Sequence, residues 1–413
     1  MLVDSRTPLI VVAGGAGGVA AIGNTLRGPE TVLVRHDLAL LGEGVITRTV
    51  TRGDDQWLEA LELAHGCVSC TLREDVLPLL RRLSARDGVS RIVLLLDPAF
   101  EPEAVCRAID EISVMGIVGR VDAPAGRDVR VEAVITAIDA ASWLADAGGD
   151  ETVAERLVIA DDERTVAQVT IGQAEHADAM VVFGSTDPLE TARLAAVLAR
   201  LSPTAAIQWT GDVGPDVESL LESVSGVGHR REFDPHAGLL HGCPPLEADA
   251  GVVLVEFEAE RPFHPQRLHE AIDTLLDGVI TARGRVWLAT EPDHVLWLES
   301  AGGGLCIGLS DKWIVAIPEN DRATVDPDRL AFASLRWDPE FGDRHCALVI
   351  LVHAADPDEI SRALRWALVT DEEWAAPESW QSWSDPFGDW HTDPCENTAT
   401  PHAPHRGEGE QHA

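Results

Sequence analysis

Residues 8–26 constrain the fold more than any other stretch. Pro8-Leu9-Ile10-Val11-Val12-Ala13 is an apolar run of strand length, Gly14-Gly15-Ala16-Gly17-Gly18 follows at once, and a helical pattern continues to Leu26. A strand that is apolar along its whole length is buried on both faces, which is the habit of a parallel sheet. A strand, a glycine turn and a helix in immediate succession is also the geometry of a phosphate-binding loop, in which N–H groups at a helix start face an anion.

The same alternation continues downstream. Strands are predicted at Thr31 to Arg35, Arg91 to Leu96, Arg130 to Ile135, Ala179 to Phe183 and Thr204 to Trp209. Helices are predicted over Leu72 to Arg82 and over 160–174, 189–200 and 215–224. This pattern implies an α/β domain over 1–225, with a mainly parallel sheet covered by helices on both faces. Gly, His and Pro dominate 226–250, which is expected to be a linker. From 251 to 376 the pattern changes to a smaller α+β domain: strands near Val252, Gly284, His294 and Cys346, and helices at 265–277 and 356–369.

From residue 371 to the last residue the chain carries ten acidic residues and one basic residue, Arg406. Such a composition cannot bury a core, so disorder is expected over much of an acidic tail at 377–413. That tail holds His391, Cys395, His402 and His405, which could trap metal loosely. It also continues a tryptophan series, Trp374, Trp380, Trp383 and Trp390, expected to anchor the segment on its own protein or on a partner.

Charge and cysteine usage exclude several classes. With 32 basic and 69 acidic residues the net charge is −37, the wrong sign for neutralising a nucleic-acid backbone, so direct DNA binding is not expected and a basic protein partner suits the surface better. Seven cysteines scattered over 413 residues make no disulfide framework, which predicts reduced thiols and a cytoplasmic location. No stretch approaches eighteen uncharged apolar residues, so no membrane span is expected.

His65-Gly66-Cys67-Val68-Ser69-Cys70-Thr71-Leu72-Arg73-Glu74-Asp75 closely resembles the signature that follows switch I in CobW-type P-loop GTPases, a metallochaperone-like family with a Gly-Cys-x-Cys-Cys motif. The stretches Glu155 to Thr165 and Gln173 to Asp178, and the block Arg344 to Trp374, extend the resemblance in the order the family requires. It implies a P-loop NTPase-like domain followed by a CobW C-terminal-like α+β domain. Within the family the chain is most similar to an actinobacterial branch of ribosome-hibernation-factor-recruiting GTPases that act in zinc limitation. His36-Asp37-Leu38, the Cys67-Val68-Ser69-Cys70 form of the motif, Arg336 to Arg344 and Asp385 to Trp390 carry that narrower similarity. It implies a ribosome and a hibernation factor as partners. A zinc metallochaperone using a nucleotide cycle is the alternative.

The nucleotide machinery is eroded. A working loop needs Gly-x4-Gly-Lys-Ser/Thr, in which the lysine reaches the β and γ phosphates and the hydroxyl holds magnesium. Counted from Gly14, those positions are Val19, Ala20 and Ala21, and Lys312, the single lysine in the chain, lies in the other domain. The strand that should deliver switch carboxylates reads Ser90 to Pro98, largely apolar. Of the guanine-reading Asn-Lys-x-Asp only Asp187 remains, in Gly184-Ser185-Thr186-Asp187. Gly14, Gly17 and Asp187 are thus vestigial nucleotide-site residues, and GTP is a doubtful ligand.

Cys67 and Cys70, with His65 two residues upstream, suit zinc, because thiolate and imidazole are its preferred donors. Ser69 stands where the family has its middle cysteine, so one soft ligand is missing. Asp37 or His36 could complete the set; a redox pair and an inert turn are the competing readings. Glu59, Glu62, Glu74 and Asp75 are expected on helical stretches as solvated carboxylates.

Overall fold

The computed structural model describes residues 4–157, 159, 162–184, 187–210, 215–224, 236, 238–240 and 242–387. In the first half the elements are β1 (Thr7–Gly14), α1 (Ala16–Thr25), β2 (Thr31–Asp37), β3 (Val45–Arg52), β4 (Asp55–Glu62), α2 (Val68–Thr71) and α3 (Leu77–Leu83). Next come β5 (Arg91–Leu95), α4 (Pro102–Glu111), β6 (Ser113–Val114), β7 (Ala123–Pro124), β8 (Val129–Asp139), α5 (Trp143–Ala147), α6 (Val153–Leu157) and α7 (Val166–Glu175). β9 (Ala179–Phe183), α8 (Pro188–Leu201), β10 (Ala206–Trp209) and α9 (Val217–Val224) complete it.

Eight of these strands form one sheet in the order β10-β9-β8-β1-β5-β2-β3-β4. All pairs from β10 to β2 are parallel, and β3 and β4 add an antiparallel hairpin at one side. The apolar run in β1 is buried as its composition demands. Leu9 and Val11 enter the core on one face with Val76 and Leu80, while Ile10 and Val12 enter the core on the other with Val19 and Ile22.

The hairpin corrects one expectation. Asp55 to Glu62 has helical spacing of its apolar residues, yet it is a strand, because Gly53 at φ +56° closes a tight turn and all eight residues register against β3. Cross-strand pairing with a β-branched neighbour overrides local propensity here. The helix expected from residue 160 starts at Val166, where Thr165 accepts the Gln168 N–H and Gln168 returns a bond to the Thr165 N–H. That capping box fixes the boundary.

The second half contains β11 (Val253–Ala259), α10 (Pro265–Ile272), β12 (Val279–Leu288), β13 (Glu291–Ala301), β14 (Gly304–Lys312), α11 (Pro327–Leu335), β15 (Cys346–Val352), α12 (Pro357–Ala367) and α13 (Asp371–Trp374). Its sheet, in the order β11-β15-β12-β13-β14, is antiparallel throughout. α10 and α12 share a core with one face of it through Leu268, Ile360 and Leu364. Three of the four tryptophans of the acidic segment dock on this domain. Trp380 is almost wholly buried and donates its indole N–H to the Glu373 carbonyl at 2.9 Å, Trp374 lies 4.4 Å from Phe341, and Trp383 stacks on His264 at 4.5 Å. Trp390 and the tail histidines and Cys395 fall outside the described residues, as do residues 226–235, 237 and 241 of the expected linker.

The two halves share a core. Val252, Ile280, Ala301 and Leu351 pack with Ile138, Trp143, Ala147 and Ile171. Gly302 sits so close to the first domain that a Cβ there would lie 2.6 Å from the Gly149 carbonyl oxygen, and Arg283 pairs with Glu175 at 2.8 Å. Among the described residues no helix is long and apolar enough to cross a membrane.

Candidate functional site

The glycine turn after β1 is shaped by the sheet beside it. Gly14 has φ +112°, and a Cβ on it would stand 2.2 Å from the carbonyl oxygen of Ala137 in β8. Gly18 is held by the same strand, since a Cβ there would meet the Ala137 methyl at 2.6 Å. Gly17 has open space around it. The helix follows immediately: Gly15 is its N-cap residue, and the Val19 N–H already donates to the Gly15 carbonyl at 3.0 Å. Val19, at the position of the second motif glycine, is buried in the core. The amides that would wrap a phosphate chain are thus spent on helix, leaving only the first-turn N–H groups.

Asp187 has a structural task of its own. It caps α8, with Oδ1 accepting the N–H groups of Leu189 and Glu190 at 2.9 and 3.2 Å. Ser185 and Thr186 lie outside the described residues. At the end of β5, burial pushes the Asp97 carboxyl above its usual range; nearby Asp37 adds to the rise, against hydrogen bonds from Ala99 and Leu38. Asp37 itself is exposed and accepts the Ala39 N–H at 3.0 Å.

The cysteine motif forms a turn at the head of a helical run: α2, a π turn over Leu72–Val76, and α3. Cys67 is the N-cap, and its Sγ accepts the Cys70 N–H at 3.1 Å. The two half-buried sulfurs therefore belong to one turn. The exposed His65 is tied to it by the Cys67 N–H, which donates to the His65 carbonyl at 3.0 Å. Gly66 explains the middle of the His-Gly-Cys string, because a Cβ there would fall 2.1 Å from the Leu41 carbonyl oxygen. The turn thereby rests on the loop that leaves β2, the switch region of the resemblance.

Next to this turn is a polar group that the sequence reading missed. His36, 2% exposed, contacts Asp75 Oδ2 through Nε2 at 2.7 Å, while Arg48 bonds both Asp75 Oδ1 and Glu59. Asp75 is buried in this group, not solvated, and Glu59 and Glu62 are on a strand, not a helix. Glu74 accepts the Ala64 N–H at 3.1 Å, fixing the entry to the cysteine turn. π segments inside helices concentrate at functional sites, and this one carries Asp75. The one available signal was Arg48 in the alternating run Val45 to Arg52, whose strand had not been recognised.

His36 is thus engaged with Asp75. Among the described residues no three His, Cys, Asp or Glu side chains converge into a metal-holding group. The donor chemistry of the turn nevertheless fits zinc. Two thiols share one helix start, a backbone N–H already points at the Cys67 sulfur, and an imidazole is within the same turn.

Residues 35–207 match the CobW/HypB/UreG nucleotide-binding domain, and residues 252–368 match the cobalamin synthesis protein CobW C-terminal domain. A Mycobacterium tuberculosis protein named as a zinc chaperone is 49% identical over 410 residues, covering 98% of this chain and 99% of that protein. A Dictyostelium discoideum zinc-regulated GTPase metalloprotein activator is 23% identical over 370 residues, covering 86% of this chain and 76% of that one. Among solved structures, the Zn(II)-bound YjiA GTPase from E. coli aligns at 14% identity with a TM-score of 0.33, covering 88% of this chain and 99% of that chain. With both domain models matched, over 35–207 and 252–368, and a relative 49% identical across nearly the whole chain, the chain belongs to the CobW family of P-loop GTPase-type proteins.

Proposed function

We propose that this chain is a zinc-handling protein of the metallochaperone type, in which zinc is cargo carried on Cys67 and Cys70 with His65 as a third donor. The observation that carries the reading is the Cys70 N–H bonded to the Cys67 sulfur at the head of a helical run. Two thiolates and one imidazole leave a coordination position free for a client's ligand, and an open position is what distinguishes a transfer site from a structural one. The names of the relatives bear on zinc in the same sense. Release in this reading is by ligand exchange. A hydrolytic cycle has no lysine to draw on, and the first helical turn begins where the phosphate cradle should be.

The finer reading is an adaptor that associates with the ribosome in zinc limitation and brings a hibernation factor to it. It rests on the narrower resemblance, and the charge of −37 favours a basic protein as the recruited factor. The names of the relatives do not bear on a ribosome. Its test is co-sedimentation with ribosomes from zinc-starved and zinc-replete cells; absence from both ends that reading and leaves zinc carriage standing.

For zinc carriage the test is calorimetric titration of zinc and of GTP into the wild type and Cys67→Ala/Cys70→Ala. Zinc heat that disappears in the double variant is the expected result. Zinc binding that survives in it would remove the motif from the proposal. Strong GTP binding would return the nucleotide cycle.

A further inference from the structure

β4 ends the eight-stranded sheet, pairing with β3 along its whole length, and among the described residues no strand pairs with its outer edge. Seven of its eight residues are exposed and the other is half-buried. At the far side of the sheet β10 has only four residues, so β4 is the long free edge of this domain. Such an edge presents a row of unpaired N–H and C=O groups, and proteins ordinarily blunt it with charged side chains, lysine above all, with proline or with a bulge. β4 has no lysine, proline or bulge, and its charges are all carboxylates.

It has instead one large exposed apolar side chain for each face: Trp57 is 53% exposed and the adjacent Leu58 69% exposed. Successive strand residues point to opposite faces, so an added strand would find an apolar contact above and below. The remaining character is acidic. Asp55, Glu59 and Glu62 are on the strand and no basic residue is; Glu59 is bonded to Arg48, and Asp55 registers opposite Arg52, whose guanidinium is bonded to the Pro29 and Gly88 carbonyls. A second copy of this chain, pairing edge to edge, would set carboxylates against carboxylates, which costs free energy on directly opposed positions. A strand bearing Lys or Arg meets no such penalty.

The edge also leads somewhere. From Glu62 the chain passes through Leu63, whose N–H donates to Gly44, and Ala64, whose N–H donates to Glu74, into His65 and the cysteine turn. A strand seated on β4 would therefore end beside Cys67 and Cys70.

We propose that the outer edge of β4 is a docking site for an extended, Lys- or Arg-bearing segment of a protein partner, which joins the sheet as a further strand. Main-chain hydrogen bonds supply the attachment, Trp57 and Leu58 the apolar contacts, and the carboxylates the choice of partner. The proposal stands on the strand edge and not on zinc carriage, so the test is run with chelator present.

The test is hydrogen exchange of the full chain with a short synthetic peptide in which Val and Lys alternate. The companion probes are the same peptide N-methylated along one backbone edge and a Glu-for-Lys version. The expected result is slowed exchange at 55–62 with the Lys peptide alone, and affinity on the order of tenfold weaker in Asp55→Lys/Glu62→Lys. Equal binding of the N-methylated peptide would show charge attraction without strand pairing and overturn the proposal, as would protection elsewhere or no binding. Concentration-dependent protection of 55–62 without peptide would make the occupant a second copy, against the proposal.

Discussion

Removing the Asp75 carboxylate tests whether the cysteine turn is held in place by charge. In Asp75→Ala, His36 and Arg48 lose their common partner; their side chains are 2% and 11% exposed, and that of Asp75 is 7% exposed. Breaking a buried pair by deleting one member costs about 3–5 kcal/mol, because the other charge is left uncompensated. Arg48 keeps Glu59, a partner whose side chain is 59% exposed and therefore well solvated. That relief places the expected loss near the lower bound, about 3 kcal/mol. Glu59→Ala, which touches only the wet end of the network, is expected to cost less than about 1 kcal/mol. Urea midpoints at unchanged slope, followed on the transition of the N-terminal domain, measure both. Since Asp75 lies in the helical run that begins with the motif, zinc affinity is expected to fall along with stability. A loss under about 1 kcal/mol in Asp75→Ala would mean that this carboxylate is solvated after all, and the clamp on the cysteine turn would be refuted.

Two further predictions follow from single positions. Gly17→Ala is expected to raise stability by about 0.5–1 kcal/mol, as for a helical glycine with free space, whereas Gly14→Ala, forced to φ +112° against the Ala137 carbonyl, is expected to lose more than about 2 kcal/mol. Urea unfolding of both variants decides it, and a destabilised Gly17→Ala would show that the glycine turn is more than fold. In the C-terminal domain, burial pushes the His345 imidazole down from 6.5 to about 4, with Arg285 and Arg336 adding to the fall and the Asp343 carbonyl opposing it. The unfolded chain thus binds the proton first, so this stabilisation is complete above pH 6.5 and is lost as pH falls toward 4. His345→Gln is expected to flatten the wild-type decline between pH 6.5 and 5, and parallel curves would remove His345 as its source.

The parallel core was legible because its signal is local and redundant: β1 and β5 are apolar along their length, and each is followed by a break. The missing lysine was equally plain, since alanine at position 20 has no second interpretation. The reason for the glycines was not legible. Gly14 and Gly18 answer to Ala137, more than a hundred residues away, and Gly66 answers to the Leu41 carbonyl. β4 was hidden because its apolar spacing is helical, and only pairing with β3 makes it a strand. Asp75 was misjudged for a related reason. A carboxylate beside a polar motif reads as solvated until the strand carrying Arg48 is placed over it. Asp187, read as a vestige of base recognition, caps α8.

The apolar seam between the two halves has a mechanical consequence. Ile280, Ala301 and Leu351 are buried like the residues of either domain core, and Gly302 leaves no slack against Gly149. A joint of that kind has no pivot. The β4 edge and the docked tryptophans are therefore carried on domains joined through buried side chains and not only through the linker.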